Sequence, residues 1–513
     1  MNVLKSLTLL SIITFFSKIL GFMRDSLIAY TFGASGLTDS FFLAFRIPNL
    51  FRRIFSEGFF LQTFVPILSE YKKIHNIEHV KKLVSNILGF MVVFLSIFTI
   101  FGILFSSQII FFISPGLKKN FYKLYLTTEI LKIIFPYILF ISLGSLISSI
   151  LNSWNYFLIP ACSSILLNIS IIIFILFFSS YFYVSIFSLA WAFSLGGLIQ
   201  LIYQILFLKN INMLVFPQCN IKNFKLYKIS KRTKIIIFGI IINQISLIIN
   251  TISSSFLISG SISWIYYADR LTEFVSGILG VSLGTILLPL LSQQSNNKNN
   301  KENYKLLDWA LRVGCIIAIP SSLSLMILSK VIIIALFQYG NFSIFDVIMT
   351  KNILEFYSIG LIPSILTKVM LSQYYSKNDF INPVIISSFI LIVTQIMNIL
   401  FLPILKHNSF ACSSSISSWI NFVLLYWISI RKKYFFPEYG WLNFLGKIFI
   451  SVIIMFLVLY LNLVFFSNWH SITIFHKLFQ LILICFLSGC SYFLMLFVLG
   501  VRLSHFSLFF LKK

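Results

Sequence analysis

Runs of apolar residues long enough to cross a bilayer, which takes about 20 residues in a helix, alternate along the chain with short polar connections. They fall at Ser6–Phe32, Asp39–Ser69, Leu83–Phe105, Thr127–Leu151, Ile159–Phe178, Val184–Leu208 and Ile235–Phe256. They continue at Ser263–Leu291, Leu306–Leu328, Asn352–Leu371, Pro383–Leu405, Phe410–Ile430, Leu442–Phe465 and Leu478–Leu499. The pattern predicts an all-α polytopic membrane protein with about 14 transmembrane helices. Prolines in or beside the runs, such as Pro48, Pro136, Pro289 and Pro363, are expected to kink them.

The second run ends Thr63-Phe-Val-Pro66-Ile-Leu-Ser69 and the eighth ends Ile286-Leu-Leu-Pro289-Leu-Leu-Ser292. Copies six spans apart share their orientation, so the repeat predicts two pseudo-symmetric six-helix lobes related by an axis along the membrane normal. The lobes are residues 1–210 and 235–435, joined by a basic linker at 211–234 and followed by two additional helices in 436–513. Ligands in such transporters bind between lobes.

Charge interrupts this apolar pattern at two places. Between Lys18 and Glu57 lie Lys18, Arg24, Asp25, Asp39, Arg46, Arg52, Arg53 and Glu57. A charge at the centre of a bilayer costs about 2.5–3.5 kcal/mol on insertion scales, so these side chains must line a protein-enclosed wet cavity or pair with one another. Helical spacing puts Lys18 and Asp25 on one face. It also aligns Asp39, Arg46 and Arg53, with Asn49 and Glu57, in a polar stripe. The structural alternative is a set of internal ion pairs, Lys18 with Asp25 and Arg53 with Glu57. The second place is the eighth run, with Ser263, Tyr266, Tyr267, Asp269, Arg270 and Glu273. Arg270 can be neutralised locally by Glu273, or can join Lys18, Arg24 and Arg52 to hold an anion, for which the arginine fork suits phosphate. The two clusters together have a formal charge near +1, so an anion site requires the acids to be paired or turned aside.

Composition supports a membrane protein: 58% of residues are hydrophobic and 10% charged, against about 25% charged in soluble domains. The net charge of +25 resides largely in short loops, where topology explains it and no nucleic-acid partner is required. Lys72, Lys73, Lys81, Lys82, the 209–234 linker and Arg431–Lys433 fall on one side, which places both termini in the cytoplasm. The basic amino terminus is read as the first span, since Lys18 and Arg24 interrupt it and no cleavage motif follows. The 6 cysteines have no metal-type spacing and the 6 histidines form no cluster, so no metal, no cofactor and no catalytic centre is expected.

Three stretches carry a family resemblance: Ser17-Lys18-Ile-Leu-Gly21-Phe-Met-Arg24-Asp25, the run from Asp39 through Arg46, Pro48, Asn49, Arg52 and Arg53 to Glu57-Gly58, and Tyr266-Tyr267-Ala-Asp269-Arg270-Leu-Thr-Glu273-Phe. Together they resemble the MurJ (MviN) family of bacterial lipid II flippases, within the multidrug/oligosaccharidyl-lipid/polysaccharide exporter superfamily. The resemblance implies a flippase of the bacterial cytoplasmic (inner) membrane, serving cell wall biogenesis. It implies a cavity for the diphosphate and sugars of lipid II, and a groove for the polyprenyl tail beside the last two helices. Substrate-binding or transport roles carry over to Lys18, Arg24, Asp39, Arg52 and Arg270, with Asp25, Arg46, Asn49, Arg53, Glu57, Ser263, Asp269 and Glu273 as the surrounding network. The family normally has Arg where this chain has Lys18, which keeps the charge and loses the fork. Expected partners are lipid II, membrane lipids and cell-wall synthases. The expected energy source is the membrane potential, with the coupling ion left open. The alternatives are an exporter of another polyprenyl-linked glycan or of drugs, and a scaffold for synthases that transports nothing.

Overall fold

Inside a bilayer every backbone N–H and C=O must be satisfied within the segment, so apolar runs of this length become helices. The computed structural model describes residues 3–55, 60, 64–74, 76–218, 231–296, 300–466, 469 and 473–501. Regular structure among these residues is helical throughout. Two compact units follow each other, Met1–Ser263 and Trp264–Lys513.

The first unit opens with α1 (Val3–Phe32) and α2 (Gly36–Arg52). Thr38 Oγ1 accepts the Ser35 N–H at 2.7 Å and starts α2 sharply. Past Arg52 the backbone widens to π-type turns at 53–55, so the α-helical register that links Asp39, Arg46 and Arg53 is not continued beyond them. Next come α3 (Val65–Ile74), α4 (Ile77–Leu104) and α5 (Ser106–Ile113). The helices α6 (Phe121–Ile134) and α7 (Pro136–Ser153) form one span broken at Pro136, which offers no N–H to the ladder. The unit continues with α8 (Leu158–Phe178), α9 (Ile186–Asn210) and α10 (Lys231–Ser254). Its core holds Leu88, Leu95, Leu146, Ile150 and Leu208 among others. A ring cluster of Phe41, Phe45, Tyr137 and Phe193, with Phe45 and Phe193 centroids 4.5 Å apart, ties α2 to α7 and α9.

The helix α11 (Ser261–Asn296) carries the chain into the second unit. There follow α12 (Asn300–Ile327), α13 (Ser329–Leu336), α14 (Ile344–Ser376), α15 (Ile381–Leu405) and α16 (Ser409–Arg431). The last pair, α17 (Trp441–Phe465) and α18 (Ile474–Val498), packs together and onto α12 and α13. Tyr492 of α18 donates to the Ile316 carbonyl of α12 at 2.9 Å.

Among the described residues, 10 helical stretches are long and apolar enough to cross a membrane, which makes this a multi-pass membrane protein. One stretch, Ile381–Arg431, contains both α15 and α16. The charged helices α1, α2 and α11 are not among the ten. Counted with them, the helices follow the apolar runs of the sequence in order, consistent with fourteen crossings.

Candidate functional site

Arg24 and Asp25 sit in the last third of α1, in the interior of the first unit. Both are buried, at 7% and 0% exposure. The Arg24 guanidinium donates to Asp25 Oδ1 from Nε (2.9 Å) and Nη2 (2.6 Å), and from Nη1 to Asn168 Oδ1 on α8 (3.0 Å). Asn168 in turn donates to the Ser17 carbonyl at 3.2 Å, which closes a loop between α1 and α8. The guanidinium carbon also lies 5.9 Å from the centre of the Phe193 ring. A buried ion needs a partner of opposite charge and satisfied hydrogen bonds, and Arg24 has both. Three of the five guanidinium N–H donors are thereby used; the other two have no partner among the described residues.

Asp39 lies in the first turn of α2 and is 5% exposed. Its carboxylate accepts the backbone N–H of Gly260 (2.6 Å) and of Ser263 (2.9 Å), together with the Ser263 hydroxyl (2.7 Å). These groups form the start of α11, where the first N–H groups have no partner within the helix. Asp39 therefore caps α11 from a residue more than 200 positions away, and its negative charge sits at the positive end of the helix dipole. Gly260 makes this geometry available, since its φ of 96° is a conformation that side chains with a Cβ resist. The same connection is held at two other points. Gly116 N–H donates to Ser255 Oγ (3.1 Å), and Lys123 Nζ donates to Ser259 Oγ (2.8 Å).

Arg52, at the end of α2, is half-buried and donates from Nε to Asn49 Oδ1 at 3.0 Å. Lys18 on α1, together with Arg46 and Arg53, is also half-buried. Glu57 lies outside the described residues. The structure thus joins Arg24 with Asp25, Asp39 with Ser263 and Arg52 with Asn49. Asp39 faces the start of α11, a direction that its seven-residue spacing from Arg46 did not indicate.

In the second unit, Arg270 Nη1 meets Glu273 Oε2 at 3.2 Å, one turn apart on α11. The two side chains are 37% and 41% exposed, so this pair is weakly held. Asp269 beside it is half-buried. Trp264 Nε1, near the start of α11, donates to Asp346 Oδ1 at 2.7 Å. Asp346 also accepts the Ser343 N–H in the cap that starts α14.

Two further residues belong to these networks and were not singled out in the sequence. Asn168 looked like one polar position in an apolar span. Lys368 on α14 donates to the Ser276 carbonyl of α11 at 2.8 Å, three residues beyond Glu273. Gly280 leaves room for it, since a Cβ there would come within 2.6 Å of Lys368 Cδ. The signal for Lys368 was present, because a lone cation inside an apolar span marks a functional position by default. Asn168 had no comparable signal.

The family model described as lipid II flippase MurJ matches residues 28–480. A probable lipid II flippase MurJ of Buchnera aphidicola subsp. Baizongia pistaciae is 56% identical over 510 residues, covering 99% of both chains. The lipid II flippase MurJ of Burkholderia cenocepacia is 38% identical over 449 residues, covering 86% of this chain and 87% of its own. A solved structure of lipid II flippase MurJ in an inward closed conformation superposes with a TM-score of 0.79 at 27% identity, covering 95% of this chain and 98% of that one. With the family matched across most of its length and a relative aligned end to end, this chain belongs to the MurJ family.

Proposed function

We propose that this protein is a lipid II flippase: a transporter and not an enzyme, moving the lipid-linked peptidoglycan precursor from the inner to the outer leaflet of the cytoplasmic membrane. Family membership supports the substrate. The observation that carries the chemistry is the Arg24 node, a guanidinium kept inside a membrane-spanning unit by Asp25 and Asn168 with two donors to spare. A scaffold for cell-wall synthases would gain nothing from the cost of burying that ion. A drug exporter built for cations would need an acid-dominated site, whereas Lys18, Arg24, Arg52 and Arg270 favour an anion.

In this reading the diphosphate is gripped by Arg24 and Arg52, with Lys18 acting as a point charge, and Arg270 is a transport residue of the second unit whose pair with Glu273 is weakly held. Arginine offers paired parallel donors to phosphate, and lysine a compact charge. Asp39 is a transport residue of a different kind. Its hold on the first turn of α11 must be made and broken as the protein alternates between its two accesses. The inside-negative potential supplies about 2.3 kcal/mol per charge per 100 mV, which favours outward movement of an anionic headgroup. No cofactor is needed for this step, and cell-wall synthases consume the product on the far side.

The test is a leaflet-specific assay for lipid II in cells depleted of the native flippase and carrying variants of this chain. Arg24→Ala and Arg270→Ala should abolish exposure of lipid II while membrane insertion persists. Lys18→Arg should be tolerated and Lys18→Ala should not. Normal exposure rates in the arginine variants would overturn the anion site, and equal activity of the two Lys18 variants would reduce Lys18 to a packing residue.

A further inference from the structure

A groove of about 490 Å³ opens on the first unit between the early turns of α6 and the start of α9. Its walls include Tyr122, Tyr125 and Glu129 from α6, Tyr183 from the preceding loop, and Phe187 and Trp191 from α9. Leu126, Ile133 and Val184 supply an apolar floor. Tyr122, Tyr125 and Glu129 recur at the spacing of one helix face, and the tyrosines are 58% and 57% exposed. Aromatic rings at a helix end are ordinary for a membrane protein, since tyrosine and tryptophan gather at the interface. A carboxylate among them is not. Glu129 Oε1 pairs with Lys132 Nζ at 2.7 Å, the two side chains 29% and 41% exposed. The pair lies eight and eleven residues into α6, about 12 to 17 Å from its first residue at 1.5 Å per residue. The 33-residue span Phe121–Ser153 outreaches the hydrocarbon core of about 30 Å, so this distance keeps the pair within reach of the headgroup layer.

We propose that this groove binds the headgroup of a zwitterionic phospholipid bearing a primary ammonium, such as phosphatidylethanolamine. The ring faces and the Glu129 carboxylate both attract a cation. An ammonium can donate to the carboxylate and still lie against Tyr125 or Trp191. Lys132 is not a wall of the groove, but its ammonium lies 2.7 Å from Glu129 Oε1, so at the rim it can meet the phosphate two carbons from the bound ammonium. The apolar floor receives the start of the acyl chains. An anionic lipid would face Glu129 with the wrong sign. A lipid with a fully methylated ammonium would keep the ring contacts and lose the hydrogen bonds.

The experiment uses the full-length protein in detergent and native mass spectrometry to count bound phosphatidylethanolamine, phosphatidylcholine and phosphatidylglycerol. Phosphatidylethanolamine should bind most tightly and phosphatidylglycerol least. Glu129→Gln should weaken phosphatidylethanolamine about tenfold, the worth of one charge-assisted hydrogen bond, and remove its advantage over phosphatidylcholine. Trp191→Leu should weaken both by a smaller and similar factor. Equal binding of the three lipids to the wild type would make the groove an unselective aromatic belt and overturn the assignment, even if Glu129→Gln failed to fold. So would unchanged phosphatidylethanolamine affinity in Glu129→Gln, or displacement of the lipid by a soluble N-acetylated disaccharide, which would give the groove to a glycan.

Discussion

Asp39 and Asp308 each fasten the start of a distant helix, and they do so with opposite kinds of donor. Asp39 is held by two backbone N–H groups and one hydroxyl, with no cation among its hydrogen-bond partners. Asp308, on α12 and 2% exposed, accepts from Arg312 Nε at 2.7 Å, Trp441 Nε1 at 2.7 Å and Glu438 N–H at 3.2 Å. Arg312 also reaches the Tyr439 carbonyl at 3.1 Å and lies 5.1 Å from the Trp441 ring centre. The Asp39 clasp can be undone by letting water replace neutral donors one at a time. Undoing the Asp308 clasp would strand an ion under an indole. The first suits a contact that parts during each transport cycle. The second suits a permanent mooring for α17 and α18.

The mooring should therefore fail hardest when cut. Asp308→Ala leaves Arg312 and the Trp441 N–H without their acceptor, at a cost of about 3 kcal/mol for a broken, mostly buried pair. Thermal unfolding should drop accordingly, and the 432–440 connection should become open to protease. Adding Arg312→Met should restore much of the loss, because the stranded charge goes too. If the double variant were no more stable than the single one, charge compensation would not be what holds the mooring.

Asp39→Ala should cost less stability and more activity. It orphans two N–H groups and a hydroxyl, yet removes a buried carboxylate that has no cation among its hydrogen-bond partners, so the net loss should be about 1–2 kcal/mol. Lipid II exposure should nevertheless fall below detection. Gly260→Ala attacks the same clasp through the backbone, since a left-handed φ costs a residue with a Cβ about 1–2 kcal/mol. It should slow flipping without abolishing it. Loss of stability in Asp39→Ala as large as in Asp308→Ala would erase the distinction between latch and mooring.

How much of this could be read in the sequence depends on what kind of group answers each side chain. The helices were legible because apolar runs of this length allow little else. The charged residues of α1, α2 and α11 stood out because ions in apolar helices have no ordinary reason to be there. Asp39 was recognised as important, but its partners were not, because two of the three are backbone N–H groups and any sequence supplies those. Residue spacing offered Arg46 and Arg53 as its neighbours on one stripe of α2, whereas its carboxylate turns to the start of α11. Asp25 also accepts from its sequence neighbour Arg24, a partner that the seven-residue spacing of Lys18 and Asp25 did not point to. Asn168 answers Arg24 from 144 positions away, a pairing that only packing of α1 on α8 creates.

A third carboxylate shows what a clasp looks like when it is built for water. Asp379, between α14 and α15, accepts from Lys432 Nζ at 3.0 Å, from the Asn382 side chain and N–H, and from the Tyr434 hydroxyl at 3.3 Å. Burial alone would push its pKa up. The Lys432 ammonium and the Asn382 donors outweigh burial and hold the carboxyl below its ordinary value. A carboxylate with a lowered folded-state pKa contributes stability above its unfolded value, near about 3.9, and loses it as the pH falls through the folded value. The stability of the purified protein should thus carry no contribution from Asp379 to any slope between pH 5 and 8. It should fall below pH 4 by an amount that Asp379→Asn removes. Lys432 is 39% exposed, so solvent screens the pair and the effect should stay under about 1 kcal/mol. A larger acid step abolished by Asp379→Asn would make this surface clasp a mooring in its own right, and the division between buried moorings and weak surface ties would have to be redrawn.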